Sequence, residues 1–174
     1  MTSSVRVTPP LPALLDWVRE HDIEFHVHEH TPTFTARATA LAEGVDPKTF
    51  AKAIAVKADD GRRAILVLDA TDQLDLHAAE RLLNAEHLQL LTEEELEQLA
   101  PECDVGTMPP IGVWHLPIYA DYGVNADEQI SFHAGSHAYA IRVDREAWER
   151  ATGVVYGEIA LRDPERIYRS GVST

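Results

Sequence analysis

The stretch FAKAIAVKADDGRRAILVL, residues 50–68, holds two apolar runs on either side of a short polar turn. Residues 50–57 form the first run and residues 63–68 the second, with Asp59-Asp60-Gly61 between them. Apolar runs that flank an Asp-Gly pair are typical of a β-hairpin, because both residues accept the positive φ angles of tight hairpin turns. We therefore predict an antiparallel strand pair here, around which the rest of the chain folds.

Periodic apolar residues on both sides of the hairpin predict short helices and further strands. Helical spacing indicates helices near residues 11–21, 36–43, 74–83, 93–99 and 145–151, with one more helical turn after Asp46-Pro47. Side chains suited to capping precede three of these helices: Thr35, Thr92 (in a capping box with Glu95) and Asp144. Apolar or alternating runs indicate strands near residues 23–29, 88–91 (expected to be buried), 113–120, 129–133 and 137–143.

This irregular mixture predicts an α+β (mixed α/β) fold, a single domain with a curved, mainly antiparallel mixed sheet flanked by helices. The chain has 174 residues, of which 45% are hydrophobic, and this is enough for one sizeable core. Residues 1–152 are expected to form the domain. The pattern weakens beyond Gly153, so we expect residues 153–174 to be a C-terminal extension that packs loosely or serves an interface.

Composition points to a cytoplasmic protein. No window approaches the ~20 apolar residues of a membrane-spanning helix, and the N-terminus lacks the apolar run of a secretory signal. Cys103 is the only cysteine, which excludes an internal disulfide and a cysteine-rich metal site. Neither a Walker loop nor a dinucleotide fingerprint occurs, and we predict no cofactor.

The net charge of −14 argues at first against a nucleic-acid partner. However, six basic residues fall within one stretch that carries a large share of the positive charge: Arg37, Lys48, Lys52, Lys57, Arg62 and Arg63. They form either a locally basic face on an acidic protein or a set of separately solvated surface charges.

The stretch Val105-Gly106-Thr107-Met108-Pro109-Pro110-Ile111-Gly112 places a stiff Pro-Pro pair between two glycines. It is either an ordinary turn or a loop that presents backbone N–H groups to a ligand. Prolines donate none, so the available donors are those of Gly106, Thr107, Met108, Ile111 and Gly112.

Lysine and histidine side chains provide two further candidate sites. Lys52 shares a strand face with Ile54 and Val56, so it either reaches water at a sheet edge or points into a cleft. His26, His28 and His30 share another strand face, which is either a solvated face, the reading we favour, or a metal site. His133 and His137 could add ligands to such a site, but a turn is expected between them.

No side chain has the setting of a catalytic nucleophile. Ser136 lies in the small-residue loop 131–137 between two strands, which is not a nucleophile elbow, although the loop can offer N–H and hydroxyl groups. Cys103 stands among acidic residues, which raise the pKa of its thiol. The pattern favours catalysis by positioning, in which backbone donors stabilise an oxyanion.

Four of these segments resemble the YbaK/ProX-type family of aminoacyl-tRNA deacylases, which is related to the editing domain of bacterial prolyl-tRNA synthetases. They occur in the family's order and at similar separations, over roughly residues 11–152: residues 30–35, 50–57, 106–112 and 132–137. The resemblance implies the YbaK/prolyl-tRNA synthetase-associated domain fold and hydrolysis, in trans, of the ester of a mischarged tRNA.

The resemblance also implies roles for single residues. Lys52 matches the lysine that places the 3′-terminal adenosine, and the backbone at Gly106, Thr107 and Met108 matches the loop that holds the aminoacyl carbonyl. Implied substrate contacts are His30, Phe34, Thr35, Pro109, Pro110, Gly112, His133, Gly135 and Ser136. This chain departs from the family at His133, where many relatives have Asn, and at Ala53, where Thr, Ser or Asn is common.

Three hypotheses follow. The first is a deacylase that clears a small residue such as alanine, serine or cysteine from tRNA(Pro), with an aminoacyl-tRNA synthetase as a partner. The second is a non-catalytic module of the same fold that binds aminoacyl-tRNA or a nucleotide. The third is a metal hydrolase that uses His26, His28 and His30.

Overall fold

The computed structural model describes residues 7–161 of the chain. Within them the helices are α1 Pro12–Glu20, α2 Ala36–Glu43, α3 Leu76–Leu83, α4 Glu93–Leu99 and α5 Arg145–Thr152. The strands are β1 Phe25–Glu29, β2 Ala51–Ala58, β3 Arg63–Asp69, β4 Gln73–Leu74, β5 Leu88–Leu90, β6 Ile118–Asp121, β7 Gln129–His133, β8 Tyr139–Asp144, β9 Val155–Gly157 and β10 Ala160–Leu161. None of these helices is long and apolar enough to cross a membrane.

The predicted hairpin is confirmed and lies at the centre of the molecule. Strands β2 and β3 pair antiparallel from Ala51–Asp69 to Lys57–Arg63. They occupy the middle of a five-stranded mixed sheet with the order β5-β2-β3-β6-β9, in which β6 and β9 run parallel to their neighbours. A second, antiparallel sheet has the order β1-β8-β7, and β10 pairs with β4. The mixed α/β, single-domain fold predicted from the sequence is therefore observed.

The caps predicted from the sequence fix the helix boundaries. The Thr35 hydroxyl accepts the Ala38 N–H at the start of α2, and Gly44 ends that helix with a φ of 70°. Thr92 and Glu95 form the reciprocal capping box of α4. Asp144 accepts the Ala147 N–H at the start of α5. Each bond satisfies a backbone donor that a helix start otherwise leaves without a partner.

Two hydrophobic clusters cover opposite faces of β2. Ala51 and Ala55 face a large cluster that includes α1, α5 and the β7–β8 sheet. Val56 and Ala58 face a smaller cluster under α3. This alternation is the period-2 pattern of a strand buried on both faces.

Three predicted elements differ from the structure. The strand expected over 113–120 is only β6, because residues 112–114 form a 3-10 turn and His115 takes a φ of 55°. Helix α3 begins at Leu76 rather than Leu74, because the Asp75 side chain caps it. Strand β5 lies at a sheet edge, so Leu90 is exposed rather than buried as expected.

The described part of the expected C-terminal extension is packed into the fold. Strand β9 adds to the main sheet beside β6, and Ile159 is fully buried. Asp121 accepts the backbone N–H groups of Ile159 and Ala160, which fixes this segment to the end of β6. The loose packing expected from the sequence is wrong for residues 153–161, and residues 162–174 lie outside the described part of the chain.

Candidate active site

The candidate site lies where one edge of β2 is not paired with another strand. Phe50, the residue just before β2, forms a parallel bridge with Ser131 of β7. At its other end β2 pairs with β5, from Val56 to Ala58. The Ala55 carbonyl accepts the Leu91 N–H on this edge, so strand alternation points the backbone groups of Ala53 to the same side. Neither β5 nor β7 pairs with Ala53 in the described residues. The edge is therefore open at Ala53.

The loop of residues 105–112 borders this gap and is fixed by two tryptophans. The Trp114 indole N–H donates to the Pro109 carbonyl at 2.9 Å, and the Trp148 indole donates to the Pro110 carbonyl at 2.8 Å. Pro109 and Pro110 are buried, as is Trp148. The prolines therefore act as rigid supports of the loop. No local sequence pattern indicates that these tryptophans anchor it, because their bonds to the loop form only in the folded chain.

The backbone donors of the loop divide into two groups. The N–H of Thr107 donates to the Asp104 carbonyl and that of Ile111 to the Pro109 carbonyl, so both are used within the loop. Among the described residues, the N–H groups of Gly106, Met108 and Gly112 donate to no acceptor, and of these three residues only Gly106 and Met108 line the pocket beside the loop. Gly106 has a φ of 81° with open space beside its α-carbon. Of the predicted donors, Gly106 and Met108 fit best the task of receiving a ligand oxygen.

Asp104 joins the proline loop to the β7–β8 loop. Its N–H donates to the Gly135 carbonyl, and its carboxylate accepts the His137 N–H at 2.9 Å and the Thr8 hydroxyl at 2.6 Å. The Gly135 N–H in turn donates to the Thr107 carbonyl. A side chain at Gly135 would lie 2.9 Å from the β-carbon of Leu11, so only glycine allows this close approach. The two predicted loops are thus brought together.

Several predicted contacts have structural roles. The fully buried Ser136 hydroxyl donates to the Thr8 carbonyl and accepts the Ala138 N–H. The Thr35 hydroxyl is used as the cap of α2. Gly112 lies at the far end of the loop, against Trp17. The two hydroxyls are committed within the fold, which leaves them little capacity for a substrate.

Lys52 lies on the other face of β2 from the proline loop. Ala53 packs with the cluster that contains Met108, whereas Ile54 packs with the cluster on the opposite face, and Lys52 shares the side of Ile54. Its ammonium donates to the Asp72 carbonyl. Burial lowers the pKa of Lys52, and the negative charge of Asp72 partly opposes that effect. Lys52 therefore points neither freely into water nor directly at the loop.

Four histidines and one glutamate form a polar group beside the β7–β8 loop, which we call the histidine cluster: His28, His30, Glu43, His133 and His137. One side-chain atom of each lies buried without a hydrogen-bond partner among the described residues. The sequence-based preference for a solvated histidine face is therefore wrong for His30, whose side chain is only 3% exposed, and holds for the exposed His26. Glu43 was missed because a glutamate at the end of a short helix is usually solvated.

One ring of the histidine cluster, that of His133, has a strongly lowered pKa. Burial, with the neighbouring His137 and His30, lowers the pKa of His133 to about 4, so its ring is neutral at pH 7. The ring packs edge-on against Phe50, with 5.3 Å between centroids. Phe34 is 81% exposed, and its ring covers His137 at 4.9 Å. The bridge between Phe50 and Ser131 is parallel. Lys52 and His133 therefore lie at matching positions on the two strands, each the same number of residues beyond the bridge.

An apolar pocket of about 490 Å³ lies on the open edge of β2. Ala53, Gly106 and Met108 line it together with Leu96 of α4 and Cys103. Burial and the nearby acids Asp104 and Glu102 raise the pKa of the Cys103 thiol to about 12. The pocket can thus hold a small apolar group next to the loop amides, with no reactive thiolate in it.

The metal and basic-face hypotheses gain little from the structure. Residues 7–161 contain no group of three or more histidine, cysteine, aspartate or glutamate side chains arranged to hold a metal ion. Of the six clustered basic residues, Lys57 and Arg63 pair with Glu95, and Arg62 pairs with Asp60. This pairing cancels much of the local positive charge that the sequence suggested.

Comparisons with known proteins agree with the resemblance. The model of the aminoacyl-tRNA editing domain family matches residues 30–151, which is more than half of the chain. Over 105 residues the chain is 33% identical to a proline–tRNA ligase of Shouchella clausii (strain KSM-K16); the match covers 60% of this chain and 18% of that much longer protein.

Two solved structures share the fold. Hypothetical protein APE2540 superposes with a TM-score of 0.77 at 17% identity, over 85% of this chain and 99% of that one. A candidate trans-editing enzyme for prolyl-tRNA synthetase superposes with a TM-score of 0.75 at 21% identity, over 86% of this chain and 95% of the other. With the family match over residues 30–151, these findings show that the chain belongs to the aminoacyl-tRNA editing domain family.

Proposed function

We propose that this protein hydrolyses the ester bond of a mischarged aminoacyl-tRNA in trans, clearing a small residue such as alanine, serine or cysteine from tRNA(Pro). Family membership supports the reaction class. The matches to a proline–tRNA ligase and to a candidate trans-editing enzyme support the choice of tRNA and a prolyl-tRNA synthetase as partner. The observation that carries the proposal is the anchored loop with unused amides at Gly106 and Met108.

The loop amides would receive the ester carbonyl oxygen. As water attacks, negative charge develops on that oxygen, and a fixed N–H donor stabilises it without reorganising. The tryptophan bonds to Pro109 and Pro110 hold the loop in place before substrate binds. The aminoacyl side chain would occupy the small apolar pocket beside Met108.

Lys52 would place the 3′-terminal adenosine and its phosphate, the role that the family resemblance implies. Its ammonium now donates to a backbone carbonyl, a weaker partner than a phosphate oxygen. The substrate's own terminal hydroxyl would help to activate water, because neither candidate nucleophile is suited to attack. The Ser136 hydroxyl is used in hydrogen bonds within the fold, and the high pKa of Cys103 keeps its thiol protonated at pH 7.

The test is deacylation of labelled Ala-, Ser-, Cys- and Pro-tRNA(Pro) by the wild type, Lys52→Ala and Lys48→Ala. Lys48 is an exposed lysine four residues away and serves as the matched control. We expect release from one or two of the mischarged tRNAs, loss of that release in Lys52→Ala, and wild-type rates in Lys48→Ala. Circular dichroism confirms that each variant is folded.

Two results would contradict the proposal. Wild-type rates in Lys52→Ala would remove Lys52 from the mechanism. No hydrolysis of any aminoacyl-tRNA, together with saturable tRNA binding, would instead establish a non-catalytic binding module. Binding should weaken as salt rises if phosphates provide the main contacts.

A further inference from the structure

Glu43 is a carboxylate in an unusual position. It is the last residue of α2, where the helix dipole already places partial negative charge, and no basic residue lies in that last turn. Its side chain is only 5% exposed. A buried carboxylate at this end of a helix requires a positive or donating partner.

Two histidines lie near Glu43, but neither forms a hydrogen bond with it. His28 Nδ1 lies 3.8 Å and His30 Nε2 3.6 Å from its oxygens, which is beyond hydrogen-bond distance. His30 Nδ1 lies 2.8 Å from the Thr31 carbonyl, and a carbonyl only accepts, so Nδ1 carries the hydrogen. In the neutral ring, His30 Nε2 therefore turns a lone pair toward Glu43 Oε1.

The rest of the cluster donates no hydrogen bond to Glu43. His133 Nδ1 and His137 Nδ1 are buried without partners among the described residues, and the His133 ring is neutral at pH 7. The cluster thus holds a buried carboxylate oxygen of Glu43 and a ring nitrogen of His30 that no donor among the described residues satisfies. A compact, positively charged group rich in N–H donors fits both atoms, and a primary ammonium is such a group.

We propose that Glu43 and His30 form the subsite for the α-ammonium group of the aminoacyl ester. This inference rests on the proposed function and adds to it the recognition of the free amine. Every aminoacyl-tRNA carries that ammonium close to its ester carbonyl, and N-acylated or peptidyl esters lack it. The subsite therefore selects free aminoacyl esters and rejects esters whose amine is blocked.

The experiment compares an aminoacyl-tRNA with its N-acetyl derivative, using the tRNA that the wild type deacylates fastest in the panel above. The enzymes are the wild type, Glu43→Gln and Glu29→Gln, the last being an exposed carboxylate on β1. Glutamine keeps the shape of Glu43 but removes the charge. An ammonium–carboxylate hydrogen bond corresponds to about 10- to 100-fold in kcat/KM.

We expect the wild type and Glu29→Gln to prefer the free amine by about 10- to 100-fold. Glu43→Gln should lose most of that preference through a higher KM for the free amine, with an unchanged rate on the N-acetyl ester. Equal losses on both substrates would mean that Glu43 only supports the fold, and would overturn the proposal.

The wild type alone provides a second test that does not depend on a variant folding. If it hydrolyses the N-acetyl ester as fast as the free one, the cluster does not bind the ammonium. Failure of the proposed function looks different, because then neither ester is hydrolysed by any of the three proteins.

Discussion

The proline loop and the histidine cluster differ in how they satisfy their polar groups. In the loop, the carbonyls of Pro109 and Pro110 accept tryptophan N–H groups, and Thr107 bonds to Asp104 through both its backbone and its side chain. In the cluster, five buried side-chain atoms have no partner among the described residues. Completed bonds fix a geometry before a ligand arrives, whereas buried atoms without partners cost free energy that a ligand can recover.

The largest expected effect is on the loop. Gly106→Ala should lower kcat by about 10²- to 10³-fold, the usual cost of losing an oxyanion donor, because alanine resists a φ of 81° and the amide turns away. Gly61→Ala is the matched control, since Gly61 has a φ of 91° and equally open surroundings in the hairpin turn. Both variants should lose about 1 kcal/mol of unfolding free energy, but only Gly106→Ala should lose activity. Equal activity in the two would remove the Gly106 amide from the site.

The second prediction concerns the cluster and pH. Because the pKa of His133 is about 4 in the folded protein and about 6.5 unfolded, the unfolded chain binds the proton first as the pH falls. The stability contributed by the neutral ring is complete above pH 6.5 and is lost between pH 6.5 and pH 4. The loss amounts to at most about 3 kcal/mol.

Urea unfolding of the wild type and His133→Asn at several pH values measures this contribution. The wild type should lose stability relative to the variant over that interval, and the difference should level off below pH 4. Parallel curves for the two proteins would show that His133 titrates normally.

The third prediction tests the anchors of the loop. Trp148→Phe removes the donor to the Pro110 carbonyl in the buried interior and should cost about 1–3 kcal/mol of unfolding free energy. Trp114→Phe should cost less, because Trp114 is partly exposed and water can replace its bond to Pro109. Urea unfolding gives both values, and a larger loss in Trp114→Phe would contradict this view of the loop.

The smallest effect on activity is expected at Cys103, which lines the apolar pocket beside the proline loop. With a pKa of about 12, its thiol should react with iodoacetamide at pH 8 roughly 10³-fold more slowly than in the unfolded chain. Cys103→Ser should leave the deacylation rate unchanged. Rapid labelling of the native protein would contradict the burial of this thiol in an apolar pocket.

Much of the fold could be predicted because its signals are local. The hairpin depends on an Asp-Gly turn between two apolar runs, and helices α2, α4 and α5 begin at side chains that cap their own first turn. The short β9 and β10 were missed, because their pairing with β6 and β4 depends on partners distant in the chain.

The sequence by itself determined the family, the strand that carries Lys52, and a stiff glycine-bounded loop, since each depends on neighbouring residues. Only the tertiary structure decided which of these groups are available to a ligand. Folding commits Ser136 and Thr35 to internal hydrogen bonds, brings Trp114 and Trp148 to the proline carbonyls, and buries Glu43 among histidines. The physical reason is that burial and hydrogen-bond satisfaction arise from contacts between distant segments, whereas turns and caps are fixed within a few residues.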